Sequence, residues 1–247
     1  MKWCGYEWIT QERWGNIHPE KTLNWYDPSA VEVRGDYLIL KTHKNPKYFD
    51  KLELTSPIGT GLVSCTEKFS YGWFSLEAML PKGPNLWPAF WMWAWESWPP
   101  EIDIFEGYSN KRGSYFNWSH DMLLGKFWRM KSNIHLKHAT DETNEGGIDR
   151  HQLGDQAHYY TWENPTKYLM DYGLLWLPDK LEFYYNDRMV REVNDPAVMK
   201  QLQDVKMNVI INNHVTAEID LDKFKPSEFV VSNFRYVPME DLVFINK

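Results

Sequence analysis

Cysteine is scarce: Cys4 and Cys65 are the only two in 247 residues. At most one disulfide can form, in an oxidising compartment, and two free buried thiols fit equally well. No Cys and His stand at metal-ligand spacing, so the sequence offers no zinc-type centre. No run reaches the roughly 18 apolar residues that a membrane-crossing helix needs. Positive charge is also short. The formal net charge of −7 argues against general binding to nucleic acid or to anionic membranes. Met1 to Glu7 lacks the apolar stretch of a signal peptide. Internal repeats, low-complexity tracts and linkers are missing too. Residues 1–247 therefore read as one domain, long enough for a single substantial core.

Aromatic residues are abundant, with 14 Trp, 14 Tyr and 12 Phe. The pattern along the chain is short β-type runs separated by turn chemistry, which predicts an all-β sandwich. Val31 to Val33 and Tyr37 to Lys41 flank a tight turn at Gly35-Asp36. Gly61 to Glu67 and Tyr71 to Leu80 read as the next pair, and Phe90 to Trp95 with Glu101 to Gly107 as a third. Later strands are expected at Gly113 to Asn117, Asn133 to Lys137, Tyr168 to Trp176, Lys180 to Tyr185, Met207 to Asn212 and Phe229 to Val237. One short helix is expected at Pro196 to Lys200, capped by Asp195 with Pro196 at its first position. Ala139 to Gln156 is polar and acidic and reads as a surface loop.

The most informative stretch is Glu101-Ile102-Asp103-Ile104-Phe105-Glu106. Acidic and apolar residues alternate, as in a strand with one face in a core and acid on the other. Strict alternation would bury Glu106 unpaired, which is too costly. One extra residue between Asp103 and Glu106, a β-bulge, returns Glu106 to the acidic face. Crowded carboxyls raise at least one pKa, so one can stay protonated near neutral pH. A carboxylate beside a protonated carboxyl, about 5–5.5 Å apart, is the equipment of a retaining glycosidase.

Upstream lie Tyr71-Gly72-Trp73-Phe74, Leu86-Trp87-Pro88-Ala89-Phe90-Trp91 and Trp98-Pro99-Pro100. This order, with the bulged E-x-D-x-x-E, resembles the family-16 glycoside hydrolases, which include laminarinases, agarases, porphyranases and carrageenases. Leu174 to Tyr184, Met207 to Asn212 and Phe229 to Val237 extend the resemblance over most of the chain. It implies a two-sheet antiparallel jelly roll with an open concave groove, and retaining endo-cleavage of a β-linked polysaccharide. It also implies that Glu101 is the nucleophile, Glu106 the general acid and base, and Asp103 their assistant. A β-1,3-type glucan and a β-linked, sulfated galactan both remain open as substrate. A transglycosylase would use the same carboxylates. A non-catalytic binding module would keep the tryptophans and lose the acids, and all three acids are present.

Aromatic faces stack on the C–H faces of sugar rings, while β-sheet propensity explains the Tyr and Phe better than the Trp. Trp98 is the leading stacking candidate. Trp91, Trp93 and Trp95 share one strand face opposite Phe90, Met92 and Ala94, and one of the two faces must pack between the sheets. Trp25, Trp118 and His135 are further candidates for the groove. Lys111, Arg112, Lys126, Arg129, Lys131 and Lys137 cluster after the acid strand with only Asp121 against them. They could receive sulfate or carboxylate groups, Arg129 in particular, or form a solvated loop. Family members that bind structural calcium often carry an Asp in the closing strand. Here Ser232 and Asn233 stand there, which argues against calcium, and no cofactor is expected. The family usually acts outside the cell, so an extracellular monomer acting on a polysaccharide is expected, through a removed leader or non-classical release.

Overall fold

The computed structural model describes residues 1–107, 128–138, 156–217 and 219–242. Among these the chain forms strands β1 (Lys2–Trp3), β2 (Tyr6–Ile9), β3 (Asn24–Tyr26), β4 (Val31–Arg34), β5 (Tyr37–Phe49), β6 (Leu54–Thr60), β7 (Leu62–Phe69) and β8 (Gly72–Met79). Then follow β9 (Leu86–Trp93), β10 (Glu101–Glu106), β11 (Trp128–His135), β12 (Gln156–Thr161), β13 (Met170–Trp176), β14 (Leu181–Tyr185), β15 (Arg188–Val193), β16 (Met207–Val215) and β17 (Ser227–Pro238). Helix α1 (Pro196–Leu202) begins as expected, with the Asp195 carboxylate accepting from the amides of Ala197 and Val198.

The strands build two sheets. The first runs β1-β2-β7-β16-β9-β10-β11-β12, the second β15-β14-β13-β8-β17-β5-β6-β3, with β4 on β5. Apart from the parallel pair β3–β6, the described pairings are antiparallel. This is the expected two-sheet sandwich. One expected pairing fails. Strands β7 and β8 are not partners: β7 pairs with β16 in the first sheet, and β8 lies between β13 and β17 in the second. The turn between them crosses from sheet to sheet, which local patterning cannot distinguish from a hairpin. The expected strand at Gly113 to Asn117 and most of the 139–156 loop lie outside the described residues, although β12 begins at Gln156.

The core lies between the sheets. Strand β10 contributes Ile102, Ile104 and Phe105, β9 contributes Phe90 and Met92, and β16 contributes Val209 and Ile211. They meet Phe74, Tyr172, Leu174, Phe229 and Val231 of the second sheet. The Phe105 ring sits 4.3 Å from that of Tyr172 and 6.1 Å from that of Phe229. Large rings at these positions settle which face of β9 turns inward: Phe90 and Met92 pack between the sheets, and the tryptophan face points out. Cys4 and Cys65 are free thiols.

Candidate active site

Two hairpin-related registers place the acids. Strand β10 pairs with β9 as Glu101 to Trp93 and Asp103 to Trp91, then skips one residue to pair Phe105 with Phe90 and Glu106 with Ala89. Ile104 is the extra residue of the bulge. Its carbonyl, turned toward the core, accepts a 2.8 Å hydrogen bond from the Tyr185 hydroxyl of the second sheet. The buried bulge is thereby satisfied, and Glu101, Asp103 and Glu106 all face the outer side of the first sheet.

On the other flank, β11 pairs Glu101 with His135 and Asp103 with Asn133. At period two, Lys131, Asn133 and His135 present a ladder of nitrogen groups against the ladder of acids. His135 Nε2 lies 3.4 Å from both Glu101 Oε1 and Asp103 Oδ2. Asn133 Nδ2 donates to Glu106 Oε1 at 3.2 Å and lies 3.0 Å from His135 Nε2. Lys131 Nζ reaches Glu106 Oε1 at 2.7 Å, and Trp87 Nε1 donates to Glu106 Oε2 at 3.2 Å.

The electrostatics differ across the site. Burial, reinforced by the neighbouring Asp103, pushes the Glu101 carboxyl up to about 8. The charges of His135 and Lys21 and the Trp98 N–H oppose that rise. Asp103 is fully enclosed, and its desolvation, with the charge of Glu106, holds its carboxyl well above the ordinary range. Such groups titrate together rather than singly. Glu101, Asp103 and His135 also converge closely enough, with ligand atoms within 4.8 Å of one another, to hold a cation.

Of the expected sugar-facing residues, Trp98 is placed most clearly. The residue is 52% exposed, and its Nε1 donates to Glu101 Oε2 at 2.9 Å. Both peptide bonds of the following prolines are cis. Trp91 is half-buried on the same face as Asp103, with Nε1 donating to Asn212 Oδ1 at 2.7 Å. Trp93 is buried outside the main core, covered by Trp14 at 5.2 Å and by the Arg13 guanidinium at 4.7 Å. His135 stands beside the acids as expected. Trp25 does not. It is buried in β3 at the edge of the second sheet, where its Nε1 donates to the Asn45 carbonyl and Lys47 lies over its ring. Its neighbour Tyr26 takes the other side of the strand and stacks on His214 at 5.1 Å. Arg129 lies in β11 opposite Tyr160, and Trp118 falls outside the described residues.

A family model for glycosyl hydrolases family 16 matches residues 26–231. The chain belongs to this family. It is 21% identical over 155 residues to the endo-1,3-1,4-beta-glycanase ExsH of Rhizobium meliloti, covering 62% of this chain and 28% of that protein. It is 26% identical over 151 residues to a probable xyloglucan endotransglucosylase/hydrolase, protein 29, of Arabidopsis thaliana, covering 58% of this chain and 34% of the relative. The chain thus spans only about a third or less of the length of these relatives. Among solved structures, the catalytic domain of an endo-1,3-beta-glucanase (laminarinase) from Thermotoga petrophila superposes with a TM-score of 0.66 at 17% identity, over 88% of this chain and 84% of that one.

Within this family-16 fold, sequence reading missed Lys131, Asn133 and Trp87 as partners of the acids. The signal was present: Lys131-x-Asn133-x-His135 has the strand period, but only His135 was read as a groove residue, and Lys131 was grouped with the basic cluster as a receiver of substrate anions. It also missed the N-terminal segment. Glu12 is buried there, accepting from Ser64 Oγ at 2.7 Å and from Trp95 Nε1 at 3.0 Å, while Lys21 Nζ lies 4.9 Å over the Trp87 ring. This segment covers the outer face of the first sheet beside Trp93.

Proposed function

We propose that the chain is a retaining endo-β-glycosidase acting on a β-1,3-type or mixed-linkage β-1,3-1,4 glucan. The observation that carries this reading is the bulge at Ile104, which brings Glu101 and Glu106 to one face beside an exposed tryptophan. Glu101 attacks the anomeric carbon as the glycosidic C–O bond breaks, and Glu106 gives its proton to the departing oxygen. Glu106 then takes a proton from water, the water oxygen attacks the same carbon, and Glu101 leaves as carboxylate. Asp103 tunes Glu101 from between them, and Trp98 stacks on the sugar at the cleavage point.

A neutral glucan is preferred over a sulfated galactan because the Lys131 ammonium is engaged by Glu106 rather than presented to a substrate anion. Action outside the cell follows from a polymer too large to enter one. A transglycosylase is the second reading, favoured by the likeness to the Arabidopsis protein. It predicts products longer than the substrate at high oligosaccharide concentration.

A reducing-sugar assay on laminarin, mixed-linkage glucan, agarose, porphyran and carrageenans tests this reading. Activity is expected on the two glucans and should fall at least about a thousandfold in Glu101→Gln, as for loss of a nucleophile. Activity confined to the sulfated galactans would overturn the substrate assignment. Undiminished activity in Glu101→Gln would overturn the mechanism.

A further inference from the structure

A lysine among carboxylates usually sits at the surface, where its charge is solvated. Lys131 does not: its side chain is 11% exposed, and that of Glu106, its partner at 2.7 Å, is 9% exposed. Burying an ammonium against a carboxyl costs desolvation, so stability alone does not account for the contact. Here it has a specific geometry. Lys131 and Asn133 both address Glu106 Oε1, and Trp87 addresses Oε2. The three donors come from the strands on either side of β10, two from β11 and one from β9. The carboxyl is therefore held in one orientation, without a hydrogen bond to either of the other two acids among the described contacts.

The chemistry proposed for Glu106 makes this arrangement useful. When the glycosidic bond breaks, the proton passes from Glu106 to the leaving oxygen, and a negative charge appears on the carboxyl. When water attacks in the second step, the same carboxylate must point at the water and take its proton. An ammonium fixed at 2.7 Å balances the charge as it develops and holds the carboxylate in line for both transfers.

We infer that Lys131 is a positioning residue for proton transfer by Glu106, acting on the leaving group through that carboxyl and not on the sugar directly. This rests on the reading of Glu106 as acid and base. It predicts that Lys131 matters in proportion to how much the leaving group needs a proton.

The test compares laminarin, whose leaving group is a poor alkoxide, with 2,4-dinitrophenyl β-laminaribioside, whose leaving group departs unprotonated. The readout is kcat/KM, which reports the first chemical step. Native enzyme, Glu106→Gln, Lys131→Met, Lys131→Gln and Lys131→Arg are compared, with folding checked by circular dichroism. In Lys131→Met and Lys131→Gln, kcat/KM on laminarin should fall about 10- to 100-fold, the scale of a misplaced catalytic group. On the aryl glycoside it should stay within about threefold of native. Lys131→Arg should recover most of the lost activity. Glu106→Gln should show the same contrast, more strongly. If Glu106→Gln shows the contrast but folded Lys131 variants lose both activities equally, or neither, the role of Lys131 is overturned while that of Glu106 stands. If Glu106→Gln shows no contrast, the reading of Glu106 fails and that of Lys131 with it.

Discussion

Glu101 sits under opposing influences. Burial and the charge of Asp103 favour its neutral form, while the Trp98 N–H, His135 and Lys21 favour the carboxylate that the proposed double displacement needs. The first set prevails in the free protein, which lifts the carboxyl to about 8. The form with a charged nucleophile is therefore depleted as pH falls, and the acidic limb of the kcat/KM profile should lie well above the usual carboxylate range. Asp103→Asn removes the carboxyl that competes with Glu101 for ionisation. It should shift that limb down by about one pH unit while lowering kcat. A limb that stays in place would mean that Asp103 does not tune Glu101. At this scale much of the site was legible. Alternation and the cost of burying a carboxylate are local rules, and they located the three acids and the bulge. Trp25 shows the limit. One residue's parity in a three-residue strand decides whether Trp25 or Tyr26 faces the first sheet, and sequence alone could not set that parity.

At the scale of elements, the bulge is the device that aims Glu106, and it is held from across the sandwich. The Ile104 carbonyl has its partner in Tyr185 of β14, about 80 residues away in sequence. Tyr185→Phe leaves the packing nearly unchanged but strips the buried carbonyl of its donor. It should lower stability by about 1–3 kcal/mol, the usual cost of an unsatisfied buried polar group. It should also depress kcat more than KM, because the bulge relaxes and Glu106 drifts. Urea denaturation and steady-state kinetics on the same variant measure both. Unchanged kcat would show that the bulge holds its shape without Tyr185. The sequence announced the bulge but not its support, since that contact joins opposite sheets. The same limit explains β7 and β8. Their turn looks like a hairpin, yet β7 pairs with β2 on one side and on the other with β16, near the other end of the chain.

At the scale of the molecule, the N-terminal segment is fastened to the first sheet through a buried acid. Glu12 accepts from Ser64 and Trp95, yet desolvation outweighs those bonds and raises its carboxyl from an ordinary 4.5 to about 7. The folded protein thus keeps a proton that the unfolded chain releases above pH 4.5. The stability this proton confers is complete below that pH and is lost as pH rises through about 7. Glu12→Gln has no such loss. Its stability relative to native should climb by up to about 3 kcal/mol between those pH values, from a shift of roughly 2.5 units. Thermal melts across that range measure it, and a constant difference would mean that Glu12 is not buried in solution. Nothing in the sequence marked Glu12, because its burial depends on where the segment lands rather than on its neighbours in the chain.

The central claim is that Glu101 and Glu106 act by double displacement, and the anomeric configuration of fresh product tests it most directly. Laminarin cleaved in an NMR tube should release the β-anomer first, with the α-anomer appearing only as the sugar mutarotates. Initial release of the α-anomer would mean single displacement by water and would contradict the account.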